Sequence, residues 1–178
     1  MMTWIVLMLV SVFSAVFRLL PHAPNFTPIG ALALCAGAFA PKRWGIVIPL
    51  VVMLASDFFV GSYDLRIMAS VYGSFLVMGL LGFLLRTNRN PLRVALASLS
   101  GSTFFFLVTN FAVWAFSSMY PKTLAGLEMS YTLALPFFRN TLSGDIFFAF
   151  LFFGAYELVR AAAVPLAVRP GVAPARTQ

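Results

Sequence analysis

Cysteine and histidine are almost missing from the 178 residues: Cys35 and His22 are the only ones of their kind. A single cysteine excludes a disulfide framework and a cysteine metal cluster, and one histidine cannot supply the His-rich sets that hold zinc. No metal or cofactor is expected. Charge is scarce too, at 10% of residues against 61% hydrophobic, where a soluble domain carries roughly 25% charged residues. So few charges cannot cover the surface of a chain this long in water. The composition excludes a soluble domain and points to one integral membrane domain.

The twelve basic residues outnumber the five acidic ones, a balance that elsewhere suggests nucleic acid. The basic residues come in ones and twos at the ends of apolar runs, with no block to track phosphates. No nucleic-acid partner is expected, and membrane topology explains the charge better. The start, "MMTWIVLMLVSVFSAVF", lacks the basic flank of a signal peptide and runs longer than its apolar core. It reads as a retained first helix.

Five runs meet or approach the ~20 apolar residues of a spanning helix: 3–20, 45–61, 67–85, 94–116 and 142–164. A sixth, 28–40, is short. Thr27 is a good N-cap and Pro28 a good first residue for it. At 1.5 Å per residue it spans about 20 Å, well short of a ~30 Å hydrocarbon core. The expected fold is therefore all-α, six transmembrane helices over residues 1–165 with helix 2 short, then a disordered tail over 166–178. No internal repeat is visible.

Lys42, Arg43, Arg86, Arg89, Arg93, Arg160, Arg169 and Arg176 fall on one side of this topology, and Arg18, Arg66, Lys122 and Arg139 on the other. The positive-inside rule then puts both termini in the cytoplasm and loops 1, 3 and 5 outside. A short helix 2 makes loop 1 dip to membrane depth, where irregular backbone survives only inside protein or along a wet cavity. An outward pocket under loops 1, 3 and 5 follows, with the ten-residue run 129–138 as a lid.

The outward side holds most of the chemistry: His22 and Asn25 in loop 1, Asp57, Tyr63, Asp64 and Arg66 around loop 3, and Tyr72 early in helix 4. Asn110 and Trp114 end helix 5, and Tyr120, Tyr131, Arg139, Asn140 and Asp145 belong to loop 5 and the start of helix 6. These are the candidate ligand-binding residues, the aromatic ones as walls and the rest as polar contacts. Each has a plainer reading. Asn140 or Thr141 is a plausible N-cap for helix 6, with Asp145 in its first turn where the helix dipole favours negative charge, so a site at mid-membrane depth is not expected there. Asp57 needs a partner if buried, and Arg18, Arg66 and Arg139 are the outward choices. The spacings Ser11-x-x-x-Ala15 and Ala36-x-x-x-Ala40 allow close helix approach, within the chain or to a partner.

Six helices with both ends inside, outward loops 1, 3 and 5, and small-xxx-small spacing on helix 1 resemble the substrate-binding S-components of energy-coupling-factor (ECF) vitamin transporters. The stretches "RLLPHAPNFTPIGALAL", "LASDFFVGSY", "VTNFAVW", "MYPKTLAGL" and "PFFRNTLSGD" resemble more specifically an uncharacterised bacterial family assigned to transport of this kind, over about residues 11–155. Arg18, His22 and Asp57 are also similar to positions of the solitary cobalamin S-components. The resemblance implies a multi-pass protein of the bacterial inner membrane that captures a vitamin-class ligand, a corrinoid among the candidates, from the periplasmic side. It implies Ser11 and Ala15 as the face toward an ECF-type coupling subunit with its ATPases, membrane lipid around the bundle, and no catalysis. Two other classes stay open: an accessory subunit with its outward loops packed shut, and an interfacial enzyme using Asp57 or Asp145, for which no catalytic dyad or metal set is visible.

Overall fold

The computed structural model describes residues 2–61 and 63–163, so the expected tail and Arg169 and Arg176 lie outside the described residues. Those residues form six helices: α1 (Met2–Leu19), α2 (Ile29–Phe39), α3 (Lys42–Val60), α4 (Leu65–Leu84), α5 (Pro91–Phe116) and α6 (Leu124–Ala162). All but α2 are long and apolar enough to cross a membrane. Their outer faces leave Met8, Leu54, Phe58, Phe147 and Leu151 exposed. So much apolar surface is untenable in water but natural against lipid tails. The chain is a multi-pass membrane protein.

The short helix is the centre of the bundle. At 11 residues α2 is about 17 Å long, and every residue from Ile29 to Ala38 is buried. It touches each of the other five helices, as expected of a helix apolar on all sides. Its small residues make this geometry reachable. A Cβ on Gly37 would overlap the Gly79 carbonyl, and one on Gly82 would overlap the Leu34 carbonyl, so α2 and α4 meet backbone to backbone. Its C-terminal carbonyls are not left bare. Arg86 donates from Nε to the Gly37 oxygen at 2.9 Å and from Nη2 to the Ala40 oxygen at 2.5 Å, placing a cation on the negative end of the helix.

Lys42, Arg43, Arg86, Arg89, Arg93 and Arg160 share one end of the bundle, hereafter the basic end. The start of α1 is there as well, since Trp4 meets Trp44 edge to face at 5.9 Å and Thr3 bonds the Tyr156 hydroxyl at 3.0 Å. Residues 20–28, 61, 63–64 and 117–123, which connect the helices, form the opposite end.

One boundary differs sharply from expectation. Helix 6 does not begin at Asn140 or Thr141. Its N-cap is Thr123, whose hydroxyl accepts from the Gly126 N–H at 3.1 Å, and the helix runs unbroken for 39 residues. The expected lid, 129–138, is therefore helical. Pro136 lies inside it and removes one ladder hydrogen bond, yet packing of this stretch on α5 keeps it helical. Phe106 meets the Tyr131 and Phe138 rings at 5.5 and 4.8 Å, and the Tyr131 hydroxyl donates to the Leu107 carbonyl at 2.9 Å. At about 58 Å, α6 exceeds a hydrocarbon core. Its excess lies at the end away from the basic residues, because Glu157 sits level with Arg89 at 3.8 Å.

Candidate functional site

Because α2 starts deep in the bundle, the segment before it must descend to meet it. That descent leaves a cavity open at the end opposite the basic residues. Asn25 takes the left-handed conformation (φ 63°) that turns the chain inward, one that asparagine tolerates better than most residues. Thr27 then lines the cavity rather than capping α2, whose N-cap position is Pro28, with no side-chain hydrogen bond.

Two adjoining compartments make up the cavity. The deeper one, about 190 Å³, is lined by Arg18, Thr27, Met53, Phe75 and Asp145, among others. The second, about 300 Å³, is lined by Phe106, Thr109, Asn110, Phe137 and Phe138 among others. Asn25, Tyr63, Val71, Phe105 and Thr141 border both.

Two buried aspartates stand near the floor, and their surroundings differ. Asp57, on α3, is held by its Oδ1 at 2.6 Å from Arg18 Nη2, and its Oδ2 accepts from the Tyr72 hydroxyl at 2.7 Å. Arg18 also donates to Ser56 Oγ at 2.5 Å and toward the Met53 carbonyl at 3.4 Å. The partner of Asp57 is thus Arg18; Arg66 and Arg139 lie elsewhere. Asp145, only 3% exposed, accepts from Ser102 Oγ at 2.7 Å. Its Oδ1 fills the space where a Cβ on Gly30 would stand, against the first turn of α2. No arginine, lysine or histidine pairs with it among the described residues.

The depth of Asp145 overturns its expected place in the first turn of a helix at the membrane surface. Ser102 lies about 17 Å along α5 from Pro91 and about 21 Å from Phe116. Its partner Asp145 is accordingly close to the middle of the bundle and 21 residues into α6. What reads locally as a capping sequence is a row of tertiary contacts. Asn140 donates to the Pro24 carbonyl at 2.9 Å, Thr141 faces the cavity, and Asp145 meets Ser102.

Of the candidate ligand-binding residues, Asn25, Tyr63, Asn110 and Asp145 line the cavity, and Arg18 joins them. Most of the others make structural contacts. Asp64 caps α4 through the Arg66 and Ile67 N–H groups and pairs with the Arg66 side chain at 2.9 Å, which holds its carboxyl down at about 2. Arg66 lies over the Phe116 ring at 4.8 Å, clamping α4 to α5. Tyr72 serves Asp57, Trp114 donates to the Pro121 carbonyl at 3.0 Å, and Tyr131 bonds Leu107. His22 lies against Phe17 with the rings tilted at 5.4 Å, and its Nδ1 is 2.6 Å from the Leu20 carbonyl, so that nitrogen carries the proton. Tyr120 is half-buried and Arg139 exposed, both away from the cavity. On α1, Ala15 packs against the core of its own bundle and Ser11 is half-buried.

The walls are phenylalanine rather than tyrosine or tryptophan, because the polar tips of Tyr72, Trp114 and Tyr131 went to partners. Phe75 and Phe105 meet at 5.3 Å beside Asp145. Tyr63 is the exception at the mouth; burial and the nearby Asp57 raise its phenol above the ordinary value, Arg18 opposing, so it stays a neutral hydroxyl. Among the described residues no three His, Cys, Asp or Glu side chains gather as a metal set.

A family model matches residues 1–168. The chain belongs to DUF6580, a family of unknown function. No match was found among curated proteins or among solved structures. Membership in DUF6580 carries no activity with it, so function rests on the cavity itself.

Proposed function

We propose that the chain is a membrane-embedded, S-component-like subunit of an uptake system, capturing a small molecule from outside the cell without catalysing a reaction. The observation that carries this reading is the open cavity between the helices, with Asp145 at its floor. Cavities of this size, apolar with a few convergent polar groups, are the usual form of small-molecule sites. The clustering of basic residues at the far end supports a cytoplasmic basic end and an outward-facing cavity in a bacterial inner membrane. The volumes suit a compact vitamin-class molecule better than a corrinoid, which would need the mouth to widen. Energy would come from an ECF-type coupling subunit and ATPases. An accessory subunit with its loops packed shut predicts no cavity, and the cavity counts against it.

The test is to purify the protein from its source membrane and identify co-purifying small molecules by mass spectrometry, followed by a binding panel of vitamins. A bound small molecule supports capture. Repeated absence together with silence across the panel would sink it.

A further inference from the structure

Charge balance at the cavity floor narrows the ligand. Three ionisable groups are concerned: Arg18 and Asp145 line the floor, and Asp57 lies against Arg18. Arg18 and Asp57 cancel one another at 2.6 Å, and the Nη1 donors of Arg18 reach Ser56 and, at 3.4 Å, the Met53 carbonyl. An anionic ligand would therefore find its only nearby cation already engaged. Asp145 is the third, and it is left with one hydroxyl donor and the partial positive charge of the α2 N-terminus. A carboxylate at mid-bundle depth is costly without an opposite charge, and this one borders open space rather than packed protein. The Phe75 and Phe105 rings stand in the same compartment, and the faces of such rings attract cations. Beyond them the larger compartment is mostly apolar; Thr109 and Asn110 are the polar side chains it adds to the shared Asn25, Tyr63 and Thr141, and Asn110 donates to its own helix at the Phe106 carbonyl.

We propose that the ligand of this cavity is a compact amphipathic organic cation, its protonated nitrogen held against Asp145 beside the contacting Phe75 and Phe105 rings and its apolar or aromatic body lying along Phe106, Phe137 and Phe138. This rests on the capture reading and names its substrate class. Arg18, although it lines the same compartment, is a structural partner of Asp57 and not an anion clamp.

Three probes of one shape and different charge test it on the full chain in detergent or nanodiscs: 2-phenylethylamine, 2-phenylethanol and 3-phenylpropanoate. Calorimetry on the wild type is expected to give an amine affinity at least about tenfold above the alcohol, with the propanoate weakest, as for a ligand charge meeting a buried partner. Asp145→Asn keeps the volume and the Ser102 hydrogen bond. It should bring amine and alcohol to within about twofold of each other while leaving the alcohol unchanged. Should that variant not fold, the wild-type order of the three probes decides alone. Alcohol or propanoate binding as tightly as the amine would overturn the cation while leaving capture standing, as would a co-purified ligand lacking a basic nitrogen. Silence from all three probes at millimolar concentration would count against both.

Discussion

Asp57 and Asp145 are both buried, both on spanning helices and both within reach of one cavity, yet they are held in opposite ways. Asp57 has a guanidinium, a phenol and a position one turn from the end of its helix. Asp145 has a serine, a helix end and an opening. The first is the arrangement a protein uses to fasten α1, α3 and α4 together where the chain leaves the bundle. The second leaves electrostatic demand unmet, which is wasteful in a scaffold and useful in a binding site. The contrast teaches that a charged residue in a membrane helix is classified by its partners, not by its depth.

The largest effect should come from breaking the tighter of the two. Asp57→Ala leaves Arg18 buried without its counter-ion and should cost about 3–5 kcal/mol of stability, read as a lowered unfolding midpoint. Arg18→Met combined with Asp57→Leu should recover most of that loss, since an apolar pair replaces a buried ion pair at little penalty. If the double variant is as unstable as the single one, the pair is more than a fastening.

A second substitution probes the closeness of Asp145 to α2. Gly30→Ala puts a methyl where the carboxylate now lies and should cost about 1–3 kcal/mol through overpacking. In an Asp145→Ala background the same change should cost clearly less, with only the end of the Met78 side chain at 2.8 Å left to shift, and the difference measures the Asp145 contact in a double-mutant cycle. Additive effects would mean that the two residues do not meet.

The smallest effect concerns a third aspartate, exposed rather than buried. The Asp64 carboxyl is held down at about 2 by its cap and pair with Arg66. A lowered folded value means its stabilisation is present above the ordinary unfolded value of ~3.9 and is lost as pH falls toward about 2. Melting temperatures between pH 5 and 2 should therefore fall less steeply in Asp64→Asn than in the wild type. The difference should be slight, because both partners are solvent-exposed.

Much of this fold was legible in the residues. Run lengths against bilayer thickness gave the six helices and the stunted second one. The stunting in turn required a descending loop 1 and a cavity above it. The demand of Asp57 for a partner was readable too, with Arg18 among three choices that only packing could separate. The start of α6 was not readable. "RNTLSGD" satisfies every local rule for a helix beginning, while Thr123 satisfies them equally well and lies earlier. Packing of Tyr131 and Phe138 on Phe106 decided between them, and no local pattern encodes that. Ser102 escaped notice for a related reason. A serine in a spanning helix ordinarily bonds its own preceding turn, as Ser102 also does at the Ser98 carbonyl. Only the fold shows that Asp145 stands at 2.7 Å from the same hydroxyl, whose single proton the two acceptors share.

The most direct test of the account places the two buried aspartates side by side. Asp57→Asn and Asp145→Asn, purified from the same membrane as the wild type, should be compared by thermal unfolding and by native mass spectrometry of retained small molecule. The account predicts a crossing. Asp57→Asn loses most of its stability but keeps ligand in the fraction that stays folded, whereas Asp145→Asn stays folded and loses the ligand. An Asp145→Asn protein that unfolds like Asp57→Asn, or that keeps its ligand at wild-type occupancy, would contradict it.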